Sequence, residues 1–169
     1  AGLFGKLIGR TAAHVVTIAA VGLSFLLSAQ IAWQLISGEV GVYNDSVYTW
    51  LVSDGIRMEV GFLVDHLSVL MMCVVTFVSF CVHVYTIGYM RGAKEKNHTR
   101  FMFFYAIAIH ATMGIALSGN LLTLFVFYEM LTFSTYPLVT HKGDEAALKA
   151  GRVYLGILVS SSIVFLLFG

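Results

Sequence analysis

Charge is what this sequence has least of. Asp, Glu, Lys and Arg make up 11% of its 169 residues, against 59% hydrophobic residues. A soluble domain carries about 25% charged residues, so too few are present to cover a water-facing surface. Proline is nearly missing as well, and a single one excludes a Pro-rich disordered chain. The two cysteines, Cys73 and Cys81, exclude a disulfide scaffold, being eight positions apart on one apolar run and so about 12 Å apart along a helix. A net charge of +1 offers no basic surface, and no nucleic acid is expected among the partners. Gly-rich phosphate loops, Cys-x-x-Cys pairs and a water-accessible Ser/His/Asp set are absent too, so neither metal nor cofactor is expected. What this composition fits is a membrane.

Charge-free runs locate the spans. None of the four charged types occurs from Thr11 to Gly38, His66 to Met90, Phe101 to Tyr128 or Val153 to the end. A helix needs about 20 apolar residues to cross a bilayer. The stretch from Phe101 to His141 is twice that long, with Ser118-Gly119-Asn120 supplying a break, so it reads as two helices. The expectation is an all-α integral membrane helix bundle, one transmembrane domain over 1–169, with helices at about 12–37, 65–89, 100–118, 120–141 and 147–169. In the loop 39–64, Val47–Val52 and Ile56–Val60 flank Ser53-Asp54-Gly55. Two β-prone runs around Asp-Gly predict a hairpin, which must lean on a neighbour because a lone hairpin is marginal in water.

Orientation follows from the basic residues. Lys6, Arg10, Arg91, Lys94, Lys96, Arg100, Lys142, Lys149 and Arg152 gather on one side, which is assigned to the cytoplasm or its organellar equivalent; only Arg57 falls on the other. The hairpin therefore lies on the outer face. No small-residue cleavage pattern follows the first apolar run, so a cleavable signal peptide is not expected. Both ends read as cut, the start like a helix exit and the end, Gly169, inside an apolar run, so a longer polypeptide is expected, with a naturally short subunit as the alternative.

One acid stands apart. Glu129 lies nine residues after Asn120 and twelve before His141, near the middle of its span. Insertion scales charge about 2.5–3.5 kcal/mol for an acid there, and such residues face the bundle interior on ion or proton paths by default. The alternative is a buried acid that ties helices together. His110 sits about as far before the Gly119 turn as Glu129 after it, so an antiparallel pair holds them at similar depth. An imidazole there could pass protons to the acid or be neutral and bonded to a backbone carbonyl. Thr132 and Tyr136, at i+3 and i+7 from Glu129, continue its face toward the cytoplasm, as a wetted half-channel or as packing glue. His83 and His110 at matching depths could instead ligate a b-type haem. Asp65 reads as the N-cap of the second span, with an outer ion path as the further option. Lys149 and Arg152 snorkel to the inner interface, although Lys149, the lysine closest to the Glu129 helix, could bias the acid's proton affinity.

These residues resemble a known group. Gly61–Met71, Val82–Arg91, Arg100–Tyr105 and Gly119–Glu129 are similar to the NuoL-type chain of respiratory complex I, while Leu131–Val139 and Ala150–Gly156 look more like the Mrp-type cation/proton antiporter branch. The resemblance implies the N-terminal part of an antiporter-like proton-translocating subunit. It implies a hetero-oligomeric complex of membrane subunits, with protons or monovalent cations as cargo, in a bacterial or mitochondrial inner membrane. No redox site is expected in the chain itself. Glu129 would be the family's essential glutamate, paired with a lysine on a later helix beyond Gly169. Two positions depart from the pattern: the family's aromatic-Trp-Glu is Phe127-Tyr128-Glu129 here, and His66 stands where a smaller residue is common. Three functions compete: a proton-conducting subunit, a non-transporting structural subunit and a haem-binding bundle.

Overall fold

The structure is a computed structural model and describes residues 10–54, 56–92 and 98–167. Lys6, Lys94, Glu95 and Lys96 of the basic face, Gly55 of the hairpin turn and the end at Gly169 lie outside the described residues, as do the side chains of Arg10 and Arg91. Among the described residues, five α-helices and one hairpin follow in the order α1 (Arg10–Ile36), β1 (Tyr43–Ser53), β2 (Ile56–Val64), α2 (His66–Gly92), α3 (His98–Ala116), α4 (Leu121–Val139) and α5 (Glu145–Ser162), closed by a π-helical turn at Ile163–Leu167. The chain is an all-α membrane bundle with a small antiparallel hairpin. Four segments, His14–Ile36, His66–Tyr89, Leu121–Val139 and Glu145–Leu166, are long and apolar enough to cross a bilayer, while the apolar part of α3, Arg100–Ala116, is shorter.

Burial in this bundle is inverted relative to a soluble protein. Among the described residues seven hydrophobic side chains are buried against twelve polar ones, while Leu26, Trp33, Leu67, Tyr85 and Phe165 are exposed. Lipid is as apolar as leucine, so nothing drives leucines inward, whereas a hydroxyl in hydrocarbon must find a partner. The buried Thr76, Ser79, His83 and Thr86 form such a polar stripe along α2. Thr76 and Thr86 donate to the carbonyls of Met72 (2.7 Å) and Val82 (2.6 Å), four residues back.

Consecutive helices pack antiparallel, and a few contacts fix their relative depth. Gly22 lies against the ring of Phe80, and Phe25 meets Phe77 at 5.3 Å between centroids. His83 stacks on Tyr105 at 4.8 Å, and Phe101 meets His141 at 5.3 Å. Gly114 faces Phe127, and Gly151 faces Thr140. Counting along these registers puts Thr76, Thr112, Glu129 and Ser162 at one depth. His83, Tyr105 and Tyr136 then share a level two turns farther from the hairpin, about 10 Å away.

The hairpin is longer than its two β-prone cores. Pairing runs from Tyr43 opposite Val64 to Ser53 opposite Ile56, with irregularities between Ser46 and Tyr48 and between Thr49 and Leu51. Asn44, Asp45 and Ser46 stay in register opposite Leu63, Phe62 and Gly61, and both irregularities follow them. At the tip Asp54 adopts a left-handed φ of 46°, which Asp tolerates better than most residues.

The hairpin leans on the α3–α4 turn. Leu63 N–H donates to Leu117 O (2.8 Å) and Gly119 N–H to Gly61 O (2.9 Å). Gly61 N–H donates to Thr123 Oγ1 at 3.0 Å, and Asn120 Nδ2 to Glu59 O at 2.8 Å. Asn120 Oδ1 also caps α4 by accepting from Thr123 N–H at 2.8 Å. Asn120 is therefore cap and tether in one residue. Asn120→Ala is expected to lower stability by about 1–2 kcal/mol and to speed hydrogen exchange at Gly61 and Leu63. Asn120→Asp, which keeps the cap and loses the tether to Glu59, should do less.

Candidate functional site

Glu129 is the ninth of nineteen residues in α4, a helix with no other charged side chain. It is partly buried, and its Oε1 accepts a hydrogen bond from Ser162 Oγ at the end of α5. Ser162 is itself buried, and its Oγ also lies 3.0 Å from Val159 O. Sequence reading does not single out Ser162. Its one signal is Ser160-Ser161-Ser162, the polar interruption of an apolar run.

Toward the C-terminal end of α4 the α4–α5 seam stays polar. Thr132 is buried one turn from Glu129, and its carbonyl accepts from Thr135 Oγ1 at 2.9 Å. Thr135 Oγ1 in turn lies 3.1 Å from Tyr154 Oη. Tyr136 packs on Gly151, where an added Cβ would come within 3.1 Å of its ring, and Thr140 is buried beside it. Glu129, Ser162, Thr132, Thr135, Tyr154 and Tyr136 thus line one seam. Thr135 and Tyr154 are further members that spacing alone does not reveal, because Tyr154 comes from another helix.

The remaining expected site residues lie elsewhere. His110 is exposed on α3, near the depth of Glu129, and makes no hydrogen bond to the described residues. Lys149 is exposed near the start of α5 beside Ala146, Val153 and Tyr154. Thirteen residues separate it from Ser162, about 20 Å along the axis, so the structure does not bring it to Glu129. His83 is fully buried between α2 and α3: its Nδ1 lies 2.8 Å from Ser79 O, and its Nε2 has no partner among the described residues. His83 and His110 do not face one another across a shared gap, since His83 stacks on Tyr105 and His110 is exposed.

Asp65 caps α2, accepting from Ser68 N–H at 2.8 Å. The Ser68 N–H, then the Ser68 hydroxyl, hold its carboxyl below the usual carboxylate range. Because the folded value is depressed, this contribution is present above the ordinary value of 3.8 and is lost as pH falls through the lower folded value. Protection of the Ser68 and Val69 amides from hydrogen exchange, taken relative to the intrinsic rate at each pH, should therefore fall on acidification through that window. Asp65→Asn should flatten the response.

Glu129 is thus a partly buried acid on an apolar helix, bonded to a hydroxyl of the next helix. Residues 50–102 match the family described as NADH-ubiquinone oxidoreductase (complex I), chain 5 N-terminus. The chain is 42% identical over 139 residues to NADH-quinone oxidoreductase subunit L of Neisseria meningitidis serogroup B, covering 82% of this chain and 20% of that one. It is 31% identical over 155 residues to NADH-ubiquinone oxidoreductase chain 5 of Arabidopsis thaliana (89% and 23%), and 29% identical over 133 residues to NAD(P)H-quinone oxidoreductase chain 5 of a Synechocystis species (79% and 19%). The chain carries the N-terminal region of the NuoL-type antiporter-like superfamily. It spans about a fifth of the length of the curated relatives it matches.

Proposed function

We propose that this chain forms the front part of a proton-translocating subunit in an ion-pumping NADH-quinone oxidoreductase, with Glu129 as the acid that holds the transported proton. The observation that carries this reading is Glu129 itself, at mid-span on an apolar helix with its carboxylate on a buried hydroxyl. Nothing in packing alone favours an acid at that depth, where about 2.5–3.5 kcal/mol opposes it. Protons reach it from the cytoplasmic side along Thr132, Thr135, Tyr154 and Tyr136, whose hydroxyls can order water in the α4–α5 seam. Lys149 and His110 act at its margins: the lysine as a surface charge near the mouth, the histidine toward a neighbouring subunit. His83 lies off this seam, and Asp65 caps its helix on the outer side.

The partners are other membrane subunits of the same complex and the surrounding lipid, in a bacterial or organellar inner membrane. The relatives' names favour the redox complex over a Mrp-type antiporter. The test is proton uptake by vesicles carrying the full-length subunit in its complex with glutamine at position 129. Loss of uptake with electron flow retained supports the reading, and normal uptake overturns it.

A further inference from the structure

We infer that Ser162 holds Glu129 in both of its protonation states, its hydroxyl reversing direction each time the acid gains or loses a proton. The inference rests on Glu129 being the proton-holding acid. Ser162 is buried at the last position of α5, directly before the π-helical turn Ile163–Leu167. Its Oγ is within hydrogen-bonding reach of two acceptors, Glu129 Oε1 on the neighbouring helix and Val159 O at 3.0 Å on its own. A serine hydroxyl has one hydrogen to give and can accept in return. Two acceptors and one hydrogen leave a choice, and the proton on Glu129 decides it.

With Glu129 ionised, its carboxylate only accepts, so Ser162 donates to it. Val159 O is not stranded, because Ile163 N–H also points to it. When a proton from the cytoplasmic side binds Oε1, the new acid O–H donates to Ser162 Oγ. The serine then rotates its own hydrogen onto Val159 O. No proton leaves Ser162 and no covalent bond to carbon or oxygen changes besides the one formed at Oε1; release runs the same steps backward. Each state leaves every polar group in the trio with a partner, which in a lipid-surrounded bundle removes the penalty that would otherwise fix the acid in one state. Ser162 is a positioning residue, acting through Glu129.

The test uses the full-length subunit assembled in its complex, with Ser162→Ala and Ser162→Thr. Proton uptake per electron and the infrared C=O band that vanishes in Glu129→Gln are the readouts. Ser162→Ala should move that band to higher frequency, as a carboxyl losing its acceptor does, and slow uptake by about tenfold, the equivalent of one hydrogen bond. Threonine keeps a hydroxyl that can bond a carbonyl of the preceding turn, so Ser162→Thr should restore band and rate. An unmoved band and full uptake in Ser162→Ala, with Glu129→Gln inactive, overturn the inference and leave the proton-holding role of Glu129 standing. Full uptake in Glu129→Gln removes that role itself. If Ser162→Ala fails to assemble, Ser162→Cys replaces it; its weak donor should give an intermediate band shift, and a wild-type band there overturns the inference.

Discussion

Glutamine at position 129 is expected to stop proton uptake and to leave the subunit folded and assembled. Glutamine matches glutamate in volume and keeps a carbonyl oxygen for the Ser162 hydroxyl, so the contact between α4 and α5 survives. What it loses is the exchangeable proton. Since an ionised acid at a helix centre is opposed by about 2.5–3.5 kcal/mol, the exchange should hold or raise stability. A residue needed only to tie helices would tolerate it, and the two roles therefore separate cleanly. Glu129→Asp gives a second contrast: the carboxyl retreats by one methylene and falls short of Ser162, so uptake should drop by about tenfold or more, the loss of one charge-assisted hydrogen bond. Both variants are read as acidification per electron transferred to quinone, in vesicles containing the full complex. Normal acidification in Glu129→Gln would leave the structural-subunit reading in possession of the field.

Much of this architecture is legible in the order of residues, for a physical reason. Hydrocarbon tolerates only self-satisfied backbone, so each charge-free run must be helical and each charged interval must lie outside. The expected spans at about 12–37, 65–89, 100–118 and 120–141 accordingly stand beside helices at Arg10–Ile36, His66–Gly92, His98–Ala116 and Leu121–Val139. Asn120 marks the break between α3 and α4 because its side chain caps the second helix. Hydrophobic periodicity says little about which face of each helix meets which neighbour. A helix that is apolar all round carries no stripe to read. Ser162, thirty-three positions from Glu129, and Tyr154, nineteen from Thr135, become neighbours only through packing. Nor does spacing reveal that one ring nitrogen of His83 finds no partner among the described residues, since that depends on what packs against it, Tyr105 of α3 included. Lys149 shows the same limit from the other side. Being next in sequence to the Glu129 helix puts it near the mouth of the seam, more than three turns from the acid.

Leucine at position 114 is expected to prevent α3 and α4 from closing and to remove the subunit from the assembled complex. Gly114 is buried, and a Cβ built there would overlap the ring of Phe127 on α4. Even alanine must displace that ring. Helix propensity works the other way, since glycine within a helix is about 0.5–1 kcal/mol worse than alanine. Whether the clash wins depends on whether Phe127 can yield. Its ring is backed by Phe62 of the hairpin, with centroids 6.0 Å apart, and β2 is bonded to the α3–α4 turn through Gly61 and Leu63. Retreat therefore means either tilting α4 or lifting the hairpin. Overpacking of this kind costs about 1–3 kcal/mol, more than the propensity gain, and close approach is what holds helices together in lipid. Gly114→Ala should thus lower the thermal midpoint of the full-length subunit in nanodiscs, and Gly114→Leu should leave little assembled protein to measure. Combining Gly114→Ala with Phe127→Leu, which vacates the overlapped volume, should recover most of the loss. If the double variant is no better than Gly114→Ala alone, the contact with Phe127 is not what requires glycine there.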